Sequence, residues 1–180
     1  MATMTSLERT LAREREALLG TIAWLSEAAL DQEGVIGARS IKDVLAHLAV
    51  HERAVVCALR QLLTAGASSW SERTSVEECT SVELHIARQE ALSPTEQVLE
   101  LERVRSDLLH LLAGLDDKTL TGRGPWGEEH GTLAEYILTA VCGHECEHHA
   151  AIRHAIHRIG VVEEYGPGAR LSRGLAPTHA

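Results

Sequence analysis

Apolar residues recur at helical spacing in four long stretches of the chain. These stretches span residues 5–31, 40–63, 93–115 and 132–160, and in the first of them the spacing runs through Leu7, Leu11, Leu18, Ile22 and Leu25. An apolar residue at every third or fourth position forms a stripe along one face of an α-helix. No stretch shows a convincing strand pattern, so the sequence predicts four long helices.

The start of each stretch carries residues typical of a helix N-terminus. A Ser or Thr stands at the N-cap, and a carboxylate follows three residues later: Thr5 with Glu8, Ser40 with Asp43, Ser93 with Glu96, and Thr132 with Glu135. Such pairs satisfy backbone N–H groups that the first turn of a helix leaves without partners. The third stretch also has Pro94 at the first helical position, where proline is favoured.

The connections between the helices suggest how they are ordered. The first and last are short and rich in turn residues, whereas about thirty residues, 64–93, separate the second helix from the third and have room for a short helix at 82–90. We therefore predict an all-α four-helix bundle, ordered up-down-down-up, with a long crossover between helices 2 and 3. The bundle would span residues 1–160, and residues 161–180, with three glycines and two prolines, would form an extended or mobile tail.

Composition narrows the classes of partner. The formal net charge is −9 and basic residues are scattered, which disfavours nucleic acid, and no apolar run is long enough to span a membrane. The first 16 residues lack the apolar stretch of a signal peptide. The four cysteines form no disulfide framework, so we expect reduced thiols and a cytoplasmic protein: Cys57, Cys79, Cys142 and Cys146.

The segment "GHECEHHAAIRH", residues 143–154, holds four of the eleven histidines and fits the H-E-x-x-H motif of zinc proteases. His154 even occupies the place of the third ligand in the long form of that motif. However, Ala151 stands where that motif needs a glycine to turn the chain. On a continuous helix His154 would lie about 15 Å along the axis from His144 and would face away from it. The sequence therefore argues against a protease.

His144 and His148 are separated by one helical turn, about 40° apart on the apolar stripe of the last helix. The simplest reading is a pair of buried core histidines, but burying two imidazoles among aliphatic side chains is costly unless both have partners. A metal ion would satisfy both, and i, i+4 spacing suits a two-histidine ligand pair. His149, His154 and His157 lie on the opposite side, as do both cysteines of this helix.

A third ligand must come from elsewhere in the chain. The second helix offers His47 and His51, again one turn apart, and periodicity alone leaves both open. Glu145 flanks the pair on the last helix and is a further candidate, as a ligand or as a catalytic carboxylate. A di-iron site would need a second Glu-x-x-His motif, and the chain has only the one that ends at His148.

Three segments together resemble a known family, the DinB-like (YfiT-like) metal-binding four-helix bundles. They are "SIKDVLAHLAVHERAV", "LSPTEQVLELERVRSDLLHLLAGLDDKTL" and "HGTLAEYILTAVCGHECEHHAAI". The resemblance covers about residues 5–160. It implies one divalent metal ion held by His47, His144 and His148, with His51 as the fallback for His47 and Glu145 in reserve because related thiol-dependent isomerases use a glutamate in place of one histidine.

The resemblance also sets what function to expect. It implies a small-molecule enzyme in which the metal activates a thiol or water, of the thiol S-transferase or hydrolase type, with a low-molecular-weight thiol as cosubstrate. Zinc or nickel is the expected metal, with iron as an alternative. Whether the chain is an enzyme stays open, because a metal-stabilised bundle that sequesters a stress metabolite or toxin fits the same residues. A bundle that acts through its dimer surface also fits these residues. We expect a homodimer.

Overall fold

The computed structural model describes residues 4–65, 91–124, 126 and 131–163. Within these ranges every regular element is helical and no β-strand occurs, which confirms the all-α prediction. The helices are α1 (Met4–Ile22), α2 (Glu27–Leu30), α3 (Ile41–Ala65), α4 (Pro94–Leu112), α5 (Asp117–Thr121), α6 (Leu133–Ile137), a π-helical turn (Leu138–Gly143) and α7 (His144–Glu163). They pack as a helical bundle.

Two helix ends differ from the sequence-based expectation. The first helix stops at Ile22, not at residue 31, because Ser26 caps a separate short helix: its backbone is extended and its side chain accepts a hydrogen bond from the Ala29 N–H. The third long helix ends at Leu112, and Asp116 then caps α5 in the same way. Ser and Asp at these positions stop the preceding helix because an N-cap residue lies outside the helical conformation.

Three of the four predicted helix starts are confirmed. Their caps form reciprocal hydrogen bonds between a side chain and the backbone, and the pairs are Ser40 with Asp43, Ser93 with Glu96, and Thr132 with Glu135. The fourth is wrong, because α1 already includes Met4 and Thr5 therefore lies inside the helix.

The sequence pattern predicted one continuous helix for the last stretch, but in the structure this helix is interrupted. A π-helical turn, Leu138–Gly143, separates α6 from α7 immediately before His144. A π turn takes in one extra residue, so the residues before it are rotated by about 100° relative to an uninterrupted α-helix. Cys142, expected on the side opposite the histidine pair, is instead buried in the core.

The apolar core consists of two clusters, one at each end of the bundle. The first includes Leu11, Val55 and Leu108, and the second includes Leu18, Leu45 and Ile152. Where one cluster gives way to the other, each of the four long helical segments contributes one buried charged residue: Arg15, Glu52, Arg105 and Glu145. We call these four residues the charged layer.

The described helices include none that is long and apolar enough to cross a membrane. Cys142 and Cys146 are free thiols, whereas Cys57 takes part in a disulfide, so the prediction of reduced thiols is wrong for Cys57. The predicted short helix at 82–90, Cys79 and most of the predicted tail lie outside the described residues, although α7 continues three residues beyond the expected boundary at 160.

Candidate metal centre

Histidines from two helices meet between α3 and α7. The Nε2 atoms of His47 and His144 are 3.1 Å apart, and the His148 ring centroid lies 4.9 Å from that of His47 and 4.6 Å from that of His144. One ring nitrogen from each of these three residues lies within 4.8 Å of the other two. The structure thus brings together the three residues that the sequence resemblance implied as ligands.

The spacing of these nitrogens suits a shared metal ion. Imidazole nitrogens bind zinc at about 2.0–2.1 Å, so two of them on one ion are about 3.0–3.4 Å apart at the usual coordination angles. The 3.1 Å between His47 and His144 falls inside this range. All three rings are partly exposed, which leaves solvent access to the point where the nitrogens converge. Three neutral imidazoles with an accessible face could hold a divalent ion and still leave positions for other ligands.

His51 belongs to the cluster but plays a different part. Its ring stacks on that of His144, with centroids 4.0 Å apart and an interplanar angle of 25°. Its centroid is 6.5 Å from that of His47, and it is not among the three residues whose nitrogens converge. His51 therefore supports the face of the His144 ring, and the sequence pattern alone could not separate it from His47.

The environment of the cluster keeps the imidazoles neutral. Burial, the largest cause, and the charges of neighbouring histidines together lower the pKa of both His47 and His144 to about 4. Burial likewise lowers the pKa of His51 and of His148. Since only a neutral imidazole can donate a lone pair to a metal, these shifts favour the ligating form at neutral pH.

A cation stands beside the cluster on the loop before α3. The positive charge of Arg39 lowers the pKa of both His47 and His148, so its field acts on these two rings. The loop is fixed by paired backbone hydrogen bonds between Ile36 and Arg39, and the Arg158 side chain of α7 donates a 2.6 Å hydrogen bond to the Val35 carbonyl. This loop is thereby anchored to the helix that carries His148.

Glu145 is next to His144 in the chain but points away from the histidines into the bundle. One of its oxygens accepts from Arg15 Nε at 3.0 Å and the other from Arg105 at 2.5 Å. Both oxygens are thus engaged by arginine, in contrast to the expectation of a carboxylate free to act at the metal. The helical angles place the histidine pair on the apolar stripe, and in the structure Glu145, only 2% exposed, is more deeply buried than either histidine.

The charged layer itself was missed by the sequence reasoning, although its signal is visible in the sequence. Each apolar stripe is interrupted once by a charge, as Arg15 is between Leu11 and Leu18 on α1. The interruptions on the other helices are Glu52, Arg105 and Glu145, so the four charges sum to zero. Charged residues at core positions are almost never buried unless paired, and four balanced interruptions therefore indicate that they meet.

The remaining histidines of α7 take no part in the cluster. His149 forms a 2.7 Å hydrogen bond with the Thr21 hydroxyl, and His154 and His157 are exposed. Cys146, at the surface, donates to Glu14. As the helical angles predicted, these residues lie on a different side of α7 from His144 and His148. His85, His130 and His179 lie outside the described residues.

The fold and the cluster agree with a comparison against known families. The sequence model of the DinB superfamily matches residues 10–152. This range is most of the chain and includes all four histidines of the cluster. The chain belongs to the DinB superfamily. The family resemblance inferred from the three sequence segments is confirmed. No curated protein and no solved structure matches this DinB-superfamily chain.

Proposed function

We propose that this DinB-superfamily protein binds one divalent metal ion through His47, His144 and His148. We further propose that it is a small-molecule enzyme, of the thiol S-transferase or hydrolase type. The observation that carries the proposal is the convergence of three imidazole nitrogens, two of them 3.1 Å apart, at a partly exposed point between α3 and α7.

The residues around the site suit such chemistry. A bound divalent metal lowers the pKa of a water or thiol that it coordinates, which produces a nucleophile near neutral pH. Three neutral histidines leave the full charge of the ion available for this effect. His51 holds the His144 ring by stacking, and Arg39 supplies a positive charge beside His47 and His148.

The charge near the site indicates what kind of substrate would bind. Arg39 would attract a carboxylate or another anionic group on a small molecule approaching the histidines. We therefore propose a low-molecular-weight thiol cosubstrate that carries a carboxylate, or a carboxylate-bearing electrophile. Zinc or nickel is the proposed metal and iron is an alternative, because neutral imidazoles bind all three.

Metal analysis tests the first step of this proposal. Purified protein loaded with zinc or nickel and then dialysed is expected to retain one equivalent of metal, and His144→Ala is expected to lose it. His157→Ala is the matched control, since His157 is exposed on the same helix. Absence of stoichiometric metal in the wild type, or equal metal in both variants, contradicts the metal site.

Activity needs a separate test. The metal-loaded protein is incubated with low-molecular-weight thiols and carboxylate-bearing electrophiles, and with ester or amide substrates in the absence of thiol. Turnover that is lost in His144→Ala and kept in His157→Ala supports an enzyme, and consumption of the thiol separates transferase from hydrolase.

A second function is favoured by one observation. The two carboxylates that directly follow cluster histidines in the chain, Glu52 and Glu145, are both held by arginines, so neither is free to act as a base. This favours a metal-stabilised bundle that binds or sequesters a small stress metabolite or toxin without turning it over. Metal binding without turnover of any thiol-electrophile pair, together with unfolding on chelation, would support this second function.

We also propose a cytoplasmic homodimer whose long helices run up-down-down-up. Parallel α3 and α4 are supported by two ion pairs that advance together along both helices, Arg53 with Glu100 and Arg60 with Asp107. Light scattering coupled to size-exclusion chromatography tests the dimer, since a monomeric mass at micromolar concentration contradicts it.

A further inference from the structure

The charged layer crosses the bundle at the level of the histidine cluster. Arg15 lies on α1, Glu52 on α3, Arg105 on α4 and Glu145 on α7, and each is 2–4% exposed. Glu52 directly follows His51, and Glu145 directly follows His144. Since each helical step rises only about 1.5 Å, the two carboxylates lie at nearly the same height as these histidines.

Both arginines connect the same two carboxylates. Arg15 donates to Glu52 at 2.7 Å and to Glu145 at 3.0 Å, and Arg105 donates to each of them at 2.5 Å. The two helices that carry the clustered histidines are thus linked through arginines from the two helices that carry none of them. All four carboxylate oxygens accept a hydrogen bond within this layer.

The remaining donors of the arginines tie the other two helices together. Arg15 Nη1 donates to the Leu101 carbonyl of α4 at 2.8 Å, and Arg105 Nη1 donates to the Leu11 carbonyl of α1. These hydrogen bonds are possible at only one relative height of α1 and α4. Apolar side chains tolerate a shift of one helical turn, about 5.4 Å, far better than a buried ion pair does, because a shift would leave buried charges unpaired.

We propose that Arg15 and Arg105 are positioning residues for the metal centre, because through Glu52 and Glu145 they set the height of α3 relative to α7 at which the nitrogens of His47, His144 and His148 converge. This inference rests on the proposed metal site. Neither arginine contacts a histidine of the cluster through a hydrogen bond, so their effect on the metal passes through the two carboxylates.

A test must separate positioning from stability. The variant Arg15→Met/Glu52→Leu/Arg105→Met/Glu145→Leu replaces all four charges by apolar side chains, an exchange that often leaves a protein as stable as before. Each protein is checked for cooperative urea unfolding and is then titrated with Co²⁺, whose visible absorption reports ligand geometry. Arg103→Met is the matched control, because it removes an exposed arginine two residues from Arg105 on the same helix.

The folded fourfold variant is expected to bind Co²⁺ at least about tenfold more weakly than the wild type and to show altered absorption bands. Tenfold is the lower end of the affinity loss that is typical when residues supporting metal ligands are replaced. The control is expected to match the wild type. A smaller loss of affinity in the folded variant overturns the inference. If the fourfold variant does not fold, Arg105→Lys is titrated with Co²⁺ instead, and the same tenfold limit applies. Lysine keeps the positive charge but lacks the planar guanidinium that donates to both carboxylates at once. If the wild type binds no Co²⁺, the metal site itself fails.

Discussion

His47 and His144 are 97 positions apart in the chain, yet their Nε2 atoms lie 3.1 Å apart. For the two imidazoles to share a hydrogen bond, one must carry its proton on Nε2 and the other on Nδ1. A metal ion between them would need both Nε2 lone pairs, so the ring that carries its proton on Nε2 would change tautomer and carry it on Nδ1. The contact thus places two ring nitrogens at a spacing that suits two ligands of one metal ion.

Alanine substitutions on α3 distinguish the ligand from its neighbour. His47→Ala is expected to reduce metal retention well below one equivalent, because one of the three converging nitrogens is lost. His51→Ala removes only the ring that stacks on His144, so it is expected to keep the metal with weaker affinity. Elemental analysis after dialysis measures both. The reverse order of effects would make His51 the ligand.

The histidine cluster gives the metal-free protein a specific pH dependence. The pKa of His47 and of His144 is lowered from 6.5 to about 4 in the folded protein, chiefly by burial. Between these values the unfolded chain binds more protons than the folded one, so stability rises with pH across this window and falls as the pH drops from 6.5 towards 4.

The double variant His47→Gln/His144→Gln tests this dependence. The free energy of unfolding, measured with urea at pH 7 and pH 5 without metal, should fall more in the wild type than in the variant. The other groups around the cluster, His51, His148, Arg39 and Glu147, are the same in both proteins. An equal fall in both would show that the two histidines titrate normally in the folded state.

Much of the helical framework could be predicted from local sequence signals. Capping pairs and apolar spacing identified α3, α4 and the start of α6, because these signals act within a few residues of one another. The early end of α1 was missed, since the apolar spacing runs on to Leu25 while Ser26 starts a new helix. The pattern of apolar residues cannot show where a capping side chain overrides it.

The candidate site could be predicted only in part, for a related reason. The inward direction of His144 and His148 followed from helical angles, but the roles of Glu145 and His51 depend on partners more than thirty residues away in sequence. The π-helical turn before His144 also changes the angles of every preceding residue of that stretch. Periodicity assigns a face to a residue, and it does not name the neighbour on that face.

Arg105→Met tests how much the charged layer contributes to stability. The substitution leaves Glu52 and Glu145 buried with Arg15 as their remaining partner, so we expect a loss of about 3–5 kcal/mol in the free energy of unfolding. Arg103→Met, which breaks only exposed ion pairs of the same helix, is expected to cost at most about 1 kcal/mol. Urea unfolding measures both, and equal losses would mean that the layer adds nothing specific.

Two glycine-to-alanine substitutions should change stability in opposite directions. Gly37, in the loop that carries Arg39, has φ +64°, and a Cβ there would meet nothing within 4 Å. Gly20 lies inside α1, and a Cβ there would also meet nothing within 4 Å. Steric contact is therefore absent at both sites, and backbone conformation alone decides the sign.

Gly37→Ala is expected to destabilise the protein by about 1 kcal/mol or slightly more, the cost of an L-residue in the left-handed region. Gly20→Ala is expected to stabilise it by about 0.5–1 kcal/mol, since alanine loses less conformational freedom than glycine on entering a helix. Thermal and urea unfolding of the two variants measure the difference. A stabilising Gly37→Ala would show that the loop does not hold the left-handed conformation at Gly37.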